Sequence, residues 1–493
     1  MADAAQSAPV PAVVLPIQKI PLEVLLRISY HLTTPELGSL RLTCRSIEKS
    51  LHTTFVKEFF TQKQFMMTQD SLQAFIDVSR SRLGSHLRYV HIGLDRFPEG
   101  VQRPLSDDEK ERKYRERYAN NFMLWNTGHH RDMLAEAFGN LENLEEIIIR
   151  DFNSRRRSRD GMHAEWHSYG FTTTFNETGV SLSQGMAGIW NSGFPYQYCS
   201  QVFASVLCAL GIAKARPKGI QIMSRNSNHL RDFAFSTPGF LEPSVVPIIQ
   251  GLEKLHLCID LAWRCPSMGL SPTQTTTNPD LFIRKFLAHA TNLRNLRINE
   301  HRSNNTGIAA LLDWIVGDPD PPGGPDDELP DLPRPMLSMP QLERLSLGTL
   351  VVDAPRLLNV VRKFAPSLKS LELWKVTMIR NMPPDDTRNP PKTIFWTAFL
   401  QKLTEIPGLN LWHFKAGMLQ QHWVERPVPA LVSFKGRGPV REYVGPDWKQ
   451  FVTDIASLLD VQWPLEPELN GDDDSDCKSG SFHSRPIVAG ITG

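Results

Sequence analysis

Cysteine is scarce and scattered. The 493 residues hold six, at 44, 199, 208, 258, 265 and 477, and none forms a C-x-x-C pair. That spacing supports neither a zinc site nor a disulfide framework and fits free thiols in a reducing compartment. Charge of one sign is lacking too. The 54 Lys and Arg against 53 Asp and Glu leave +1, so no bulk field draws the chain to nucleic acid or a membrane surface. Long apolar runs are missing. Val202 to Ala213, the longest, is 12 residues and holds Ser205 and Gly211, against the ~20 that a membrane span needs. The opening MADAAQSAPVPAVVLPI has no basic residue ahead of its apolar part, unlike a secretory leader. The expected location is cytoplasmic or nuclear, where the sequons at Asn176 and Asn304 carry no meaning.

Motifs for chemistry are absent as well. There is no G-x-x-x-x-G-K-[ST], no G-x-G-x-x-G between strand and helix, and no G-x-S-x-G elbow. His163 and His167 flank Glu165, but a metalloprotease needs Glu directly after the first His. The expectation is no catalytic residue, no metal and no cofactor. The basic run Arg155, Arg156, Arg157 and Arg159 reads as a solvated loop.

What is present is an ordinary globular composition, 41% hydrophobic and 22% charged, arranged in two patterns. From Ile17 to Phe60 the pattern is helical. Pro21 starts a first helix, and Leu22, Leu25, Ile28 and Leu32 recur on one face. Thr34 caps a second helix carrying Leu37, Leu40 and Leu42. Ile47 and Leu51 mark a third. A unit of about 40 residues with so apolar a face is too small to bury itself well and calls for a partner.

The rest is an irregular repeat of L-x-x-L-x-L, whose last two apolar residues point inward on a short strand. The clear copies are Leu252-x-x-Leu255-x-Leu257, Leu293-x-x-Leu296-x-Ile298, Leu342-x-x-Leu345-x-Leu347 and Leu368-x-x-Leu371-x-Leu373. Looser ones begin at Leu87, Leu144, Pro217 and Leu409. Helical patterns lie between, at Asp280–Leu287, Pro355–Phe364 and Thr393–Leu403. Strand, crossover helix and strand again require parallel pairing. The fold class expected is therefore α/β: a small all-helical unit over 16–60, then a leucine-rich-repeat-like solenoid over 61–435 with one parallel sheet on its concave side. A capping helix region follows at 436–465, built on Trp448 to Leu459. Disorder is expected at 1–15, 317–335, 378–392 and 466–493, which are rich in Pro, Gly, Ser or acid.

The stretch KIPLEVLLRISYHLTTPELGSLRLTCRSIEKSL resembles the F-box, with Ile20-Pro21, Glu23-Val24-Leu25, Ile28, Leu32, Glu36-Leu37 and Leu40-Arg41-Leu42-Thr43-Cys44-Arg45 matching its pattern. The repeat phrases, such as FAPSLKSLELWKV, look like the bodies of fungal F-box proteins. The resemblance implies a non-catalytic receptor that binds an Skp-family adaptor, and through it a cullin, while its body holds a protein substrate for ubiquitin transfer. The alternative is an F-box subunit working outside a ligase. Adaptor contact is expected from Ile20, Pro21, Leu22, Val24, Leu25, Ile28, Leu32, Leu37, Leu40 and Leu42. Alternation along the strands turns Lys254, His256, Asn295, Arg297, Asn299, Arg344, Ser346, Ser370, Glu372, Trp374, His413 and Lys415 away from the core. That basic and amide-rich ladder suggests a substrate segment that is acidic or phosphorylated.

Overall fold

The computed structural model describes residues 20–98, 107–153, 158–161, 164–182, 197–226, 228–261, 280–300, 305–317, 337–382, 392–426, 428–436 and 438–464. The stretches expected to be disordered at 1–15 and 466–493, and all of 317–335 but Gly317, lie outside these. Of the stretch expected at 378–392, Met378 to Arg380 sits in a strand instead, and residues 383–391 lie outside the described residues.

Three helices open the chain: α1 (Leu22–His31), α2 (Thr34–Thr43) and α3 (Arg45–Phe59). The cap of α2 is Thr33, not Thr34. Its hydroxyl accepts from the Glu36 N–H while the Glu36 carboxylate accepts from the Thr33 N–H, a reciprocal capping box. Leu25, Leu37, Ile47, Leu51 and Phe59 form a separate small core among them.

A ten-stranded sheet follows. Its strands are β1 (Gln62–Met66), β2 (Tyr89–Gly93), β3 (Glu146–Arg150), β4 (Gly219–Met223), β5 (Lys254–Ile259), β6 (Asn295–Glu300), β7 (Arg344–Gly348), β9 (Ser370–Trp374), β11 (His413–Gly417) and β14 (Val440–Val444), in that spatial order. All neighbours pair parallel except β11 and β14. The expected single sheet is in fact two. A second sheet holds β8 (Val351–Asp353), β10 (Thr377–Arg380), β12 (Gln420–Trp423), β13 (Ala430–Phe434) and β15 (Leu459–Gln462). The last helical pattern ends at Ser457, as α14 (Trp448–Ser457), and Leu459 belongs to β15.

Helices α4 (Gln69–Arg80), α6 (His129–Gly139), α8 (Tyr198–Ala213), α9 (Glu242–Gly251), α10 (Leu281–His289), α11 (Asn305–Val316), α12 (Ala354–Phe364) and α13 (Phe395–Thr404) bury their apolar faces in one core with the inward strand residues. The anchors Leu252, Leu293, Leu342 and Leu368 are all buried there; truncating such a residue to Ala typically costs 2–5 kcal/mol. Helix α10 is not capped by Asp280, whose carboxylate pairs with Arg284. Asp232 does that work from fifty residues away, accepting from the N–H groups of Phe282 and Ile283. Two further helices, α5 (Asp108–Asn126) and α7 (Phe171–Thr178), enclose a small core with Met66, Phe97 and Tyr114 on the opposite face at β1.

Where β7, β9 and β11 end, the chain turns into the second sheet through Thr349, Lys375 and Met418. All three have φ 54°, a left-handed conformation that L-residues adopt at a penalty. The reason is visible in the ladder. Thr349 N–H donates to Trp374 O and Lys375 N–H to Gly417 O, both at 2.9 Å, so the corner itself stays hydrogen-bonded. Leu350, Val376 and Leu419 then drop into the core.

One position before seven of the ten strands, charge alternates across the sheet: Arg88, Glu145, Lys218, Glu253, Arg294, Glu343 and Lys369, linked in series by backbone hydrogen bonds. Arg88–Glu145 closes at 2.6 Å and Lys369–Glu343 at 2.7 Å. Opposite charges on neighbouring strands contribute about 0.2–1 kcal/mol each, and like charges oppose pairing. Glu253→Lys puts three cations in a row at 218, 253 and 294. It should lower stability by about 1 kcal/mol in urea unfolding, with the loss shrinking in high salt; a salt-independent loss would reject the ladder as an electrostatic device.

Candidate functional site

The residues expected to meet an adaptor divide into two sets. Leu25 and Leu37 are core residues of the helical unit and cannot be contacts; their burial follows from the same spacing that made them look like a binding face. Ile20, Leu32 and Leu40 are half-buried against that core. Pro21 is exposed. Leu22, Val24, Ile28 and Leu42 are 47%, 46%, 40% and 88% exposed, an apolar surface with no covering element among the described residues.

The turn Ser158–Asp160 ties the unit to the body, beside an Arg82–Glu48 ion pair and Trp166 packed on the helical core. The Arg159 guanidinium donates to both Glu58 oxygens, at 2.6 and 2.5 Å, and to the carbonyls of Ser29 and Leu32. Its side chain is only 7% exposed. The Asp160 carboxylate accepts from the Thr34 N–H and hydroxyl, both at 2.8 Å. Arg159 is therefore a buried clamp, not part of a solvated loop; a basic run in sequence could not show that one member finds a carboxylate a hundred residues away. Arg155 to Arg157 lie outside the described residues.

The expected outward set does converge on one face. Cross-strand register places Gln64, His91, Ile148, Gln221, His256, Arg297, Ser346, Glu372, Lys415 and Glu442 in one row. Glu146, Lys254, Asn295, Arg344, Ser370 and His413 form a second. Asn299 and Trp374 lie in a third, each beside a glycine. A Cβ on Gly417 would fall 2.5 Å from the Trp374 ring, so the indole lies flat across β11. The weak copy beginning at Leu409 is shifted by two. Phe414, not Trp412, is opposite Leu371, and Trp412 is exposed. A slip of two keeps faces, so His413 and Lys415 still point outward.

The face is not the basic surface expected. Lys254 pairs with Glu146 at 3.0 Å, and Lys415 and His413 with Glu442 at 2.8 and 3.0 Å. Ser346 donates to Glu372. Arg297 and Arg344 are the cations in these rows without a carboxylate among the described residues. The acids were the missed residues. Glu146 was readable from register in the copy at Leu144, whereas Glu442 comes from an antiparallel strand outside the repeat. Burial pushes the His256 imidazole down to about 4, with the Asn295 hydrogen bond opposing. Burial, with Arg150 nearby, pushes His91 down to about 3. Both are neutral hydrogen-bonding groups at physiological pH.

A cavity of about 530 Å³ lies where the helical unit meets β1, lined by Gln64, His91, Trp166 and His167 among others. His167 stacks on Phe171 at 4.2 Å, and Glu165 accepts from Asn153 at 3.0 Å. His163 lies outside the described residues. No group of metal-binding side chains occurs among the described residues, and no helix among them is long and apolar enough to cross a membrane.

Arg159→Ala removes one half of a mostly buried pair and two carbonyl bonds. Stability of α1–α3 should fall by about 2–3 kcal/mol, below the range for a wholly buried pair because Glu58 is partly wet. Hydrogen exchange should rise in α1–α3 and not in β5–β9; exchange rising equally in both would show that the clamp is not local.

No family model and no curated protein matches the chain. Among solved structures it is similar to the leucine-rich repeat-containing protein LegL7 from Legionella pneumophila, at 10% identity and a TM-score of 0.26, covering 74% of this chain and 91% of that one. A likeness that slight has no bearing on function.

Proposed function

We propose that this chain is a non-catalytic, F-box-type receptor subunit with a leucine-rich-repeat-like solenoid body. Its helical unit docks an Skp-family adaptor, which joins a cullin, and the outward face of the long sheet holds a protein substrate. The observation that carries the reading is the exposed set Leu22, Val24, Ile28 and Leu42 on a unit with its own core. A surface of that kind, on an element clamped to the body, marks an interaction site. Such a receptor needs no chemistry of its own. Tethering substrate beside a charged conjugating enzyme makes transfer nearly intramolecular. The second reading, an adaptor or structural subunit outside a ligase, uses the same surface and differs in having no cullin.

Leu22→Asp with Val24→Asp leaves the small core intact and should abolish pull-down of a recombinant Skp-family adaptor. Retained binding ends the F-box reading. Cullin in the wild-type complex supports the ligase role, and adaptor without cullin supports the alternative.

For the body, Trp374 offers an aromatic anchor of the kind enriched at binding hot spots, on the same face as Arg297 and Arg344. A largely apolar segment with one or two acidic groups fits this face better than a highly phosphorylated one. Arg297→Glu with Arg344→Glu, in a chain that still binds adaptor, should reduce substrate recovery at least tenfold by mass spectrometry under proteasome inhibition. An unchanged set of captured proteins means substrate binds elsewhere.

A further inference from the structure

A second cavity, about 520 Å³, lies between α12 and α13 on the helix side of the body, beyond the end of β10. Leu358, Ile379 and Phe399 supply apolar lining, and Arg362, Arg380 and Lys402 converge on it. No carboxylate among the described residues pairs with any of the three. Asp353 also lines it, but its carboxylate is held by Arg356 and by the Arg356 N–H. Arg362 and Lys402 sit in the last turns of their helices, where the helix dipole favours cations. Arg380, which ends β10, lies over the Phe395 ring at 4.9 Å, and Arg362 also donates to Asn359; neither contact neutralises the three cations that converge on an apolar floor.

An acidic segment of this chain begins within reach. Strand β15 runs in the same sense as β8, β10 and β12, because two antiparallel steps separate it from β12. It therefore ends on the same side of the second sheet as the cavity, three strands from β10, or about 14 Å at ~4.8 Å per strand. Residues 465–476 follow, LEPELNGDDDSD, with Glu466, Glu468, Asp472, Asp473, Asp474 and Asp476, two leucines and no Lys or Arg. Each residue can add up to ~3.4 Å of reach, so the gap is crossed in a few residues.

We propose that the cavity between α12 and α13 is the docking site of segment 465–476 of the same chain. The carboxylates meet Arg362, Arg380 and Lys402, and Leu465 or Leu469 meets the apolar floor. The segment then acts as a tethered occupant that an acidic partner in trans must displace. The proposal stands apart from the adaptor reading, since it uses neither the helical unit nor the outward face.

The probe is a fluorescein-labelled synthetic peptide of residues 463–478, followed by anisotropy. It is titrated into the native full chain and into a full chain with Glu466→Gln, Glu468→Gln, Asp472→Asn, Asp473→Asn, Asp474→Asn and Asp476→Asn. A docked segment competes at an effective concentration on the order of mM, so the peptide should bind the amide variant at least tenfold more tightly than the native chain. Adding Arg362→Glu and Lys402→Glu, both at exposed positions, should abolish that binding, and the milder Arg362→Gln with Lys402→Gln should weaken it. Zero-length carbodiimide coupling of the native chain should join Lys402 to the segment. Equal binding to native and amide chains, no binding to the amide chain, or binding that survives the charge reversal overturns the proposal. So does coupling of Lys402 to Asp385 or Asp386 in place of the segment.

Discussion

Register in the long sheet is the constraint on which the rest of the molecule depends. Strand side chains alternate faces, so a one-residue slip at any step would send the buried leucines to solvent and the outward rows into the core. Three features hold the register together. The leading leucine of each copy is buried ahead of its strand. The next position carries a charge opposite in sign to its neighbours, from Arg88 through Lys369. At the far end of β7, β9 and β11 a left-handed corner keeps its N–H in the ladder before Leu350, Val376 or Leu419 locks in. Leucine supplies most of the burial energy, but it is the same at every repeat. The alternating charges differ from strand to strand, and so can favour one neighbour over another.

A stack held this way has two ends, and each needs closing. At β14 the direction of pairing reverses, and α14 covers the last core layer with Trp448, Val452 and Ile455. At β1 the segment around Tyr169 continues the edge, its N–H donating to Gln64 O at 2.8 Å. The same excursion of the chain carries Arg159 and Asp160 to the helical unit. The first end is therefore closed by an insertion, and the insertion doubles as the fastening of α1–α3. The helical unit is held against the sheet by four hydrogen bonds from Arg159 and two to Asp160, beside the Arg82–Glu48 ion pair and the Phe59–Trp166 contact.

Much of this was legible in the sequence, and the failures have physical causes. Eight of the strands in the long sheet announce themselves as copies of one pattern, seven of them in register, because two inward apolar residues behind an anchor is a local requirement. Strand β1 was missed because GlnLysGlnPheMet has no anchor ahead of it; α3 occupies that place. The second sheet was missed because its strands are three to five residues long and read as the tail of the preceding unit. Faces survived even where alignment did not, as at Phe414, since only odd slips exchange them. Charge balance did not survive. Lys254, His413 and Lys415 looked free in their own copies because their partners, Glu146 and Glu442, are two strands away or antiparallel. Long-range pairing of this kind, like that of Arg159 with Glu58, has no local signature.

That loss of apparent charge changes what kind of partner the outward face can select. A surface of many free cations would attract any acidic chain at long range, with little discrimination and strong sensitivity to salt. A face whose charges are mostly paired, with neutral His91 and His256 and an aromatic Trp374, would discriminate through close fit instead. Displacing Lys254 from Glu146 or Lys415 from Glu442 would expose a carboxylate to any acidic ligand, which penalises it. Cations without a carboxylate partner among the described residues include Arg297 and Arg344 on this face and Arg362, Arg380 and Lys402 behind it. The two sets lie on opposite sides of the helix–sheet sandwich, so one ligand cannot use both. On both proposals the molecule would separate a surface suited to shape from a pocket suited to acid, the same ladder of strands holding the two in fixed relation.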